Sequence, residues 1–459
     1  MLFLVLALSA YGQPIDWSKV GDETTRLLSE YLQVDTVNPP GNETRGAQYL
    51  AERLREDGIE SEIVEFAPDR GSLIARLPGT GKAPPLCLLS HIDVVTSEAS
   101  EWPSDRPPLG GVVADGYVWG RGALDMKGMG ILELQVLRLL ARHQVPLARD
   151  VVLLAVADEE VGNHGMRFII EEHWDRIGCS HVINEGGIGL IDLFFDGQTV
   201  FPISVGEKGL LWGRLVASGE PGHGSIPLPG SSPERLHAAV TKLSRRRVRP
   251  TYHPSLLQTF ANVGRHHGGL SGAILQSPAL VRLFLRRRLM SNPLTRAAVT
   301  DTLHVTGYGG ALQPNVVPVE SWVHIDARLL PGTEPDDAER ELVALVNDPL
   351  VHFERIQAEP AAVSSWDDPV YDALARRAVE GMPEAVTGPV VSVGFTDSIY
   401  LRSLGVQAFG FVPFAITQDE AKTMHGNGER VSIANIHRGV QVLYRAVVDV
   451  AAVDDYELD

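Results

Sequence analysis

Six side chains of the types that bind metal ions follow apolar runs in this chain, at points where it must turn. They are His91, Asp125, the pair Glu159 and Glu160, Glu185, and His425. In an open α/β sheet, the carboxyl ends of the strands form the edge where sites are built. Histidine and carboxylate ligands together suit a pair of divalent ions, which hold a hydroxide between them and polarise a carbonyl group. These residue types therefore predict a two-metal hydrolase.

Each part of such a centre has a candidate in the sequence. Asp125 lies in a glycine-rich turn before a helical pattern and is suited to bridge two ions. His91 and Glu185 can complete the coordination of one ion, and Glu160 and His425 that of the other. The ligand set therefore consists of two histidines and three carboxylates.

The neighbours of these ligands suggest supporting roles. Asp93 lies two residues after His91 in an extended segment, so both side chains are expected on the same side. Asp93 is then placed to hold the far imidazole nitrogen of His91. Glu159 and Glu160 are expected to point to opposite sides of a strand end, so that one can bind metal while the other stays free as a general base.

Each cluster alone has a simpler interpretation. A lone His-x-Asp sequence is usually a polar loop, and Asp158-Glu159-Glu160 alone would be a solvated turn. The combination favours a site, because mixed histidine and carboxylate ligands follow successive strands of one plausible sheet.

The composition restricts the class of protein. A chain of 459 residues with 44% hydrophobic residues is typical of a soluble protein with two domains, with one large α/β domain as the alternative. The net charge of −18, taken as spread along the chain, argues against partners such as nucleic acid or anionic membranes. Cys87 and Cys179 are too few for a disulfide framework or a thiolate metal site, and Cys87 is expected as a small core residue.

The N-terminus raises the question of targeting. Met1 to Ala10 is a short apolar run without the basic residues that usually begin a secretory signal. It is also too short to span a bilayer as a helix. Residues 1–15 are interpreted as a signal or disordered segment of an exported protein, periplasmic or secreted, with a cytoplasmic location as the alternative.

Apolar strands alternate with polar turns and helical patterns, up to a strand from His181 that is expected to end at Glu185. This alternation predicts an α/β fold with a mostly parallel sheet flanked by helices. After Gly209 the pattern becomes β-α-β-β-α-β, which is typical of a small sandwich. We therefore expect a catalytic domain of residues 16–209 and 360–459, interrupted by an inserted α+β domain of residues 210–359. Ser232 is expected to cap the first helix of the insertion, with Pro233 as the first helical residue.

Three motifs carry a resemblance to a known family. Ser90-His91-Ile92-Asp93, Gly120-Arg121-Gly122 with Asp125, and Asp158-Glu159-Glu160 resemble the leading motifs of the dinuclear zinc amidohydrolases. That family includes aminoacylase, carboxypeptidase G and succinyl-diaminopimelate desuccinylase, and the resemblance covers nearly the whole chain after the N-terminus. It implies two Zn²⁺ ions, for which Co²⁺ or Mn²⁺ are alternatives. It also implies Glu159 as the base, a cis peptide after Asp125, and these ligands: His91, Asp125, Glu160, Glu185 and His425.

The inserted domain resembles the family's lid, which also carries the dimer contact. The resemblance implies that His223 stabilises the oxyanion and that Asn315 and Arg328 hold a substrate carboxylate. From the residues alone, His223 is a turn residue, and Arg328 is equally well a strand-end salt bridge. The loop from Gly394 to Ser398 departs from the family pattern, with Arg402 as a substitute for a missing arginine.

The segment Thr251 to Thr300 is similar to an insertion in the branch of N-fatty-acyl-amino-acid hydrolases and carboxypeptidase S. Alternatively it is a buried helix pair. The expected reaction is hydrolysis of an N-acyl amino acid or a dipeptide through a bridging hydroxide, releasing an amino acid with a free carboxylate. The other hypotheses are an aminopeptidase on a related two-metal fold and a catalytically impaired homologue that acts as a binding module.

Overall fold

The structure is a computed structural model and describes residues 14–454 and 456. The apolar run Met1 to Ala10, which carries the signal prediction, lies outside these residues. The described chain forms two compact units. The first contains residues 14–201, Asp367–Ala385, and 411 onwards; the second contains Pro202–Trp366 and Val386–Gly410. The domain boundaries expected from the sequence stay a prediction, and none of the described helices is long and apolar enough to cross a membrane.

The first unit is built on a mixed sheet with a parallel centre. Leu86–His91 pairs in parallel with Val151–Val156 on one side and His181–Ile191 on the other. Gly71–Leu77 and Ser61–Glu65 extend the sheet as antiparallel strands. Every residue of Leu86–His91 and of Val151–Val156 is buried, which explains the nearly continuous apolar sequences of these two strands. The predicted α/β class with a sheet flanked by helices is confirmed.

The remaining elements of the first unit are helices and short strands, and the short strands form a two-stranded and a three-stranded sheet. The helices are Trp17–Tyr31, Glu43–Glu56, Lys127–Arg142, His164–Glu172, Trp174–Ile177, Pro369–Ala378, Gln418–Ala421 and Ile433–Ala451. The short strands are Val37–Asn38, Val94–Val95, Val112–Ala114, Tyr117–Trp119 and Arg430–Ser432. The last helix begins where the Ser432 side chain accepts a hydrogen bond from the backbone N–H of Asn435.

One expectation for this unit is wrong, and one feature was not foreseen. The strand that was predicted to end at Glu185 continues to Ile191, where its last two residues, Leu190 and Ile191, pair with Val200 and Thr199. Cys87 is buried as expected, and it also forms a disulfide with Cys179, with Cα atoms 5.8 Å apart. The two cysteines are 92 residues apart in sequence, and only the parallel strand pairing brings them together.

The second unit contains a four-stranded antiparallel sheet. Its strand order is Thr302–Gly309, Glu320–Leu329, Gly209–Ser218 and Val351–Glu359. The helices Ser232–Ser244 and Pro335–Val346 share one apolar core with the sheet, including Leu215, Leu236, Val323 and Leu342. The order of elements is the predicted β-α-β-β-α-β arrangement.

The predicted start of the first helix in this unit is one residue off. Ser231 occupies the N-cap position, and Ser232 is the first helical residue. The buried Ser232 hydroxyl donates to the Pro318 carbonyl at 2.8 Å. The local pattern predicted that this side chain caps the helix, but it makes a long-range contact instead.

The other elements of the second unit include a chain of short helices. These are Pro254–His267, Gly269–Gln276, Pro278–Leu280, the π-helical turn Val281–Leu285, Arg286–Ser291 and Pro293–Val299. Further elements lying wholly or partly in this unit are Thr199–Glu207, Gly222–His223, Val316–Val317, Ala385–Ser392, Ser398–Ser403 and Gln407–Ile416.

Candidate metal centre

The carboxylate of Asp125 lies between two histidines of the first unit. Its Oδ1 is 3.2 Å from His91 Nε2, and its Oδ2 is 3.1 Å from His425 Nε2. Glu185 Oε1 lies 3.6 Å from the same His91 nitrogen, and Glu160 Oε2 lies 3.3 Å from the His425 nitrogen. The structure therefore brings together all five side chains predicted as ligands, as two groups that share Asp125.

These five residues come from separate elements of the unit. His91 ends a central strand, Glu160 lies in the turn after the neighbouring strand, and Glu185 lies within the third. Asp125 precedes the helix Lys127–Arg142, and the cis peptide implied by the family resemblance is present between Asp125 and Met126. The ends of adjacent strands thus place the ligands at one edge of the sheet.

The charges of the cluster favour cations. His425 donates hydrogen bonds to the carboxylates of Asp125 and Glu160, which raise the pKa of His425 to about 10. Burial opposes the charging of His91, but Asp125 and Glu185 outweigh it and raise the pKa of that imidazole. Burial likewise disfavours the Asp125 carboxylate, yet the two histidines hold its pKa well below the usual range. The carboxylates thus attract positive charge, which bound divalent ions would supply in place of protons.

A further observation shows that a metal ion fits these residues. Glu160 Oε1 is buried and has no hydrogen-bond partner in the part of the chain that the structure describes. A buried carboxylate oxygen without a donor costs free energy, and such atoms often mark an ion site. Imidazole and carboxylate ligands suit zinc, cobalt and manganese alike.

Asp93 supports the centre in a different way from the predicted one. His91 Nδ1 is 2.9 Å from the backbone carbonyl oxygen of Asp93 and 3.7 Å from its carboxylate. The carboxylate instead accepts hydrogen bonds from the backbone N–H groups of Glu159 and Glu160, both at 3.1 Å. The prediction assumed that an extended segment continues beyond His91, whereas the strand ends at that residue. Asp93 therefore holds the turn that carries the candidate base.

A buried polar network lies beneath this turn, and sequence reasoning missed most of it. Asn38 Nδ2 donates to Asp93 at 2.9 Å and to Asp158 at 2.8 Å. Arg70 donates to both oxygens of Glu43 at 2.6 and 2.7 Å and to Asp158 at 2.6 Å. The three carboxylates Glu43, Asp93 and Asp158 could form a metal-binding group by their spacing, but Arg70 and Asn38 already supply the donors that they need.

A further residue that sequence reasoning missed, Glu429, holds the loop that carries Asp125. Its Oε1 accepts from the backbone N–H groups of Leu124 at 2.8 Å and Asp125 at 3.1 Å. Its Oε2 accepts from Arg121 at 2.6 Å, and Arg121 also donates to the carbonyl of Gly426, next to His425. The only signal in the sequence was the acidic residue shortly after the Met424-His425-Gly426 motif.

The predicted substrate-binding residues lie in the second unit. His223 is exposed, and its Nδ1 lies 2.8 Å from the Ser225 hydroxyl. Gly224 donates its backbone N–H to the Asn315 carbonyl at 2.8 Å, so His223 and Asn315 occupy neighbouring segments. Arg328 lies in another sheet and donates to Asp326 at 2.8 Å, which is the strand-end salt bridge considered as its alternative role.

Arg402 is not available to replace the arginine that is absent after Ser398. Its guanidinium group is buried, lies 2.9 Å from Glu207 and donates to the backbone carbonyl of Ala408. The side chain therefore stabilises the interior of the second unit rather than facing a ligand.

An α/β unit with two histidines and three carboxylates gathered at one edge of its sheet is typical of metal-dependent hydrolases. The chain belongs to the peptidase family M20/M25/M40, whose sequence profile matches residues 87–449. It is 28% identical to aminoacylase-1A of Rattus norvegicus over 435 residues, which cover 93% of this chain and 95% of the relative.

Two further comparisons agree with this assignment. The chain is 28% identical over 374 residues to the N-fatty-acyl-amino acid synthase/hydrolase PM20D1 of Homo sapiens, with 79% of this chain and 73% of the relative covered. The crystal structure of the M20 family metallo-carboxypeptidase Sso-CP2 from Sulfolobus solfataricus has the same fold. Its TM-score is 0.68 at 18% identity, covering 93% of this chain and 98% of that one. The family resemblance predicted from the motifs is confirmed.

Proposed function

We propose that this protein is a dinuclear metal-dependent hydrolase that cleaves the amide bond of N-acyl amino acids or dipeptides and releases an amino acid with a free carboxylate. The observation that supports it best is the Asp125 carboxylate, whose two oxygens belong to separate histidine–carboxylate groups. Membership of a hydrolase family and the similarity to an aminoacylase support the same reaction class.

The residues of the centre would hold two divalent ions, zinc by family resemblance. One ion would take His91, Asp125 and Glu185, and the other would take Asp125, Glu160 and His425. Bound ions of this kind polarise a carbonyl and make a water molecule more acidic.

Glu159 is assigned as the general base. Its backbone is held by Asp93, while its neighbour Glu160 is committed to the ligand group, and its side chain is only partly buried. Glu159 takes a proton from the attacking water as the water oxygen bonds to the amide carbon. The same carboxyl then returns that proton to the nitrogen as the C–N bond breaks.

The residues of the second unit are assigned to the substrate. His223 is proposed to stabilise the oxyanion, and Asn315 and Arg328 to bind the free carboxylate. If a substrate with its carboxylate blocked as an amide were hydrolysed as fast as the free acid, the assignment of Asn315 and Arg328 would be wrong.

The test is release of a free amino acid from a paired panel of substrates. N-fatty-acyl amino acids are compared with unblocked dipeptides that share the same C-terminal residue, using zinc-loaded and chelated protein. Release that depends on metal is expected from at least one set, and preference for the acyl set makes the enzyme an acylase. Release that is unaffected by chelation, or no release from either set, contradicts the proposal.

We also propose that the protein is exported. The disulfide between Cys87 and Cys179 supports this location, because disulfides persist in oxidising compartments. Fractionation of expressing cells, with thiol labelling of the denatured protein, tests the proposal. Recovery in the cytoplasm with both thiols free would contradict it.

A further inference from the structure

The charge of the chain is unevenly distributed. Between Glu234 and Asp301 there is no acidic residue, but there are eleven arginines and one lysine, in a protein whose net charge is −18. The interpretation of the charge as spread along the chain is therefore wrong for this segment. Because exposed charges interact mainly within a Debye length, a local cationic surface can attract anions despite the overall negative charge.

Three of these arginines meet at one cavity in the second unit. Arg249, Arg282 and Arg286 line a space of about 540 Å³ together with Pro250 and Tyr252. Within the described residues, no carboxylate pairs with any of the three guanidinium groups. Guanidinium groups that converge without a counterion form a site suited to phosphate, which arginine binds through two parallel hydrogen bonds.

The Tyr252 side chain adds a fourth donor to this site. Its hydroxyl oxygen is buried and has no hydrogen-bond partner among the residues described. Its ring lies against Arg282, with the guanidinium carbon 5.9 Å from the ring centroid. A buried hydroxyl without a partner costs free energy, which an oxygen of a bound anion would recover by accepting its proton.

Apolar side chains are exposed on the same short helical segment. Leu283 is 70% exposed and Phe284 is 59% exposed, and they lie between Arg282 and Arg286 in the π-helical turn Val281–Leu285. The interpretation of this segment as buried helices holds for Val281 and Leu289 but not for these two side chains. Exposed leucine and phenylalanine beside arginines are typical of segments that enter the headgroup region of a membrane.

We propose that this basic–apolar surface, defined by Arg249, Tyr252, Arg282–Phe284 and Arg286, binds the surface of an anionic phospholipid bilayer. The headgroup phosphate occupies the arginine-lined cavity, and Leu283 and Phe284 enter the adjoining acyl region. The cluster of cations favours an anionic lipid over a neutral one, and the two apolar side chains favour a lipid over a soluble phosphate. This inference does not depend on the proposed hydrolase activity.

Flotation of the full-length protein with vesicles tests the proposal. Binding is expected to vesicles that contain phosphatidylglycerol, to weaken at high salt, and to be absent with phosphatidylcholine alone. The R282Q/R286Q double variant should partition about 30-fold more weakly, from roughly 1 kcal/mol for each arginine at the surface. The matched control R245Q/R265Q removes two exposed arginines that do not line the cavity, and its binding should change far less.

A second variant distinguishes a lipid bilayer from a soluble anion as the ligand of this surface. L283S/F284S should lose vesicle binding while keeping its melting temperature, because both side chains are exposed in the folded chain. Unchanged vesicle binding by this variant, together with competition by inorganic phosphate, would identify a soluble anion as the ligand and overturn the proposal. Failure of the wild type to float, or its self-association through this surface in sedimentation experiments, would also overturn it.

Discussion

Asp125 and Glu429 are 304 residues apart in sequence, yet the backbone N–H of Asp125 donates to Glu429 Oε1 at 3.1 Å. Glu429 is fully buried, and its other oxygen pairs with Arg121. The same arginine donates to the carbonyl of Gly426, which is next to His425. The Arg121–Glu429 ion pair therefore contacts both the loop that carries Asp125 and the loop that carries His425. This arrangement leads to the first prediction.

Glu429→Gln should weaken zinc binding by about 10–100-fold, the usual effect of removing a residue that orients metal ligands. The change leaves Arg121 buried beside a neutral amide and frees the loop that positions Asp125. Competition with a chromogenic chelator measures the affinity. Glu98→Gln, at an exposed position, is the control, and equal affinities for the two variants would show that Glu429 does not orient the centre.

Glu159→Gln should lower turnover by about 10²–10⁴-fold while zinc content stays unchanged, because a general base is lost without loss of a ligand. The neighbouring change Glu160→Gln should reduce zinc content itself. Turnover measured by amino acid release, together with metal analysis of both variants, distinguishes the two roles. A Glu159 variant that keeps most of its activity would contradict the assignment of Glu159 as the general base.

Arg70→Gln should destabilise the fold by about 3–5 kcal/mol, because it leaves the buried carboxylates of Glu43 and Asp158 without their cation. The free energy of unfolding in denaturant measures the effect. Arg26→Gln breaks an exposed pair with Glu30 and should cost less than about 0.5 kcal/mol. Similar losses of unfolding free energy in the two variants would mean that the buried network adds nothing to stability.

Glu133 provides a prediction about pH. Burial raises the pKa of its carboxyl well above the usual value, and the Ser90 hydroxyl opposes this shift only in part. Between the ordinary and the raised pKa, the unfolded chain is ionised while the folded chain keeps the proton. The folded state then binds more protons, so the free energy of unfolding falls as pH rises through this window.

Glu133→Gln removes this titration and should raise the stability above the window by about 1–3 kcal/mol, since no buried carboxyl must lose its proton. Denaturant unfolding over a series of pH values measures the slope. The exposed Glu172→Gln variant should keep the slope of the wild type. The prediction is contradicted if the Glu133 variant also keeps the wild-type slope of the free energy of unfolding against pH.

Local patterns in the sequence determined the elements and most of the candidate ligands. Leu86–His91 and Val151–Val156 were recognisable because strands buried on both faces need continuous apolar residues. His91 ends the first of these strands and Glu160 closely follows the second, so the types and positions of these two ligands were sufficient to name them. Glu185 was identified in the same way, although the strand around it continues to Ile191.

Only the tertiary structure decided which distant side chains support these elements. Glu429 reaches Asp125, Asn38 joins Asp93 to Asp158, and Cys87 meets Cys179 through strand pairing rather than through proximity in sequence. Likewise, the excess of arginines between Glu234 and Asp301 was visible in the sequence, but their meeting at one cavity was not. Periodicity reports how a residue relates to its own helix or strand, whereas such contacts depend on how the elements pack.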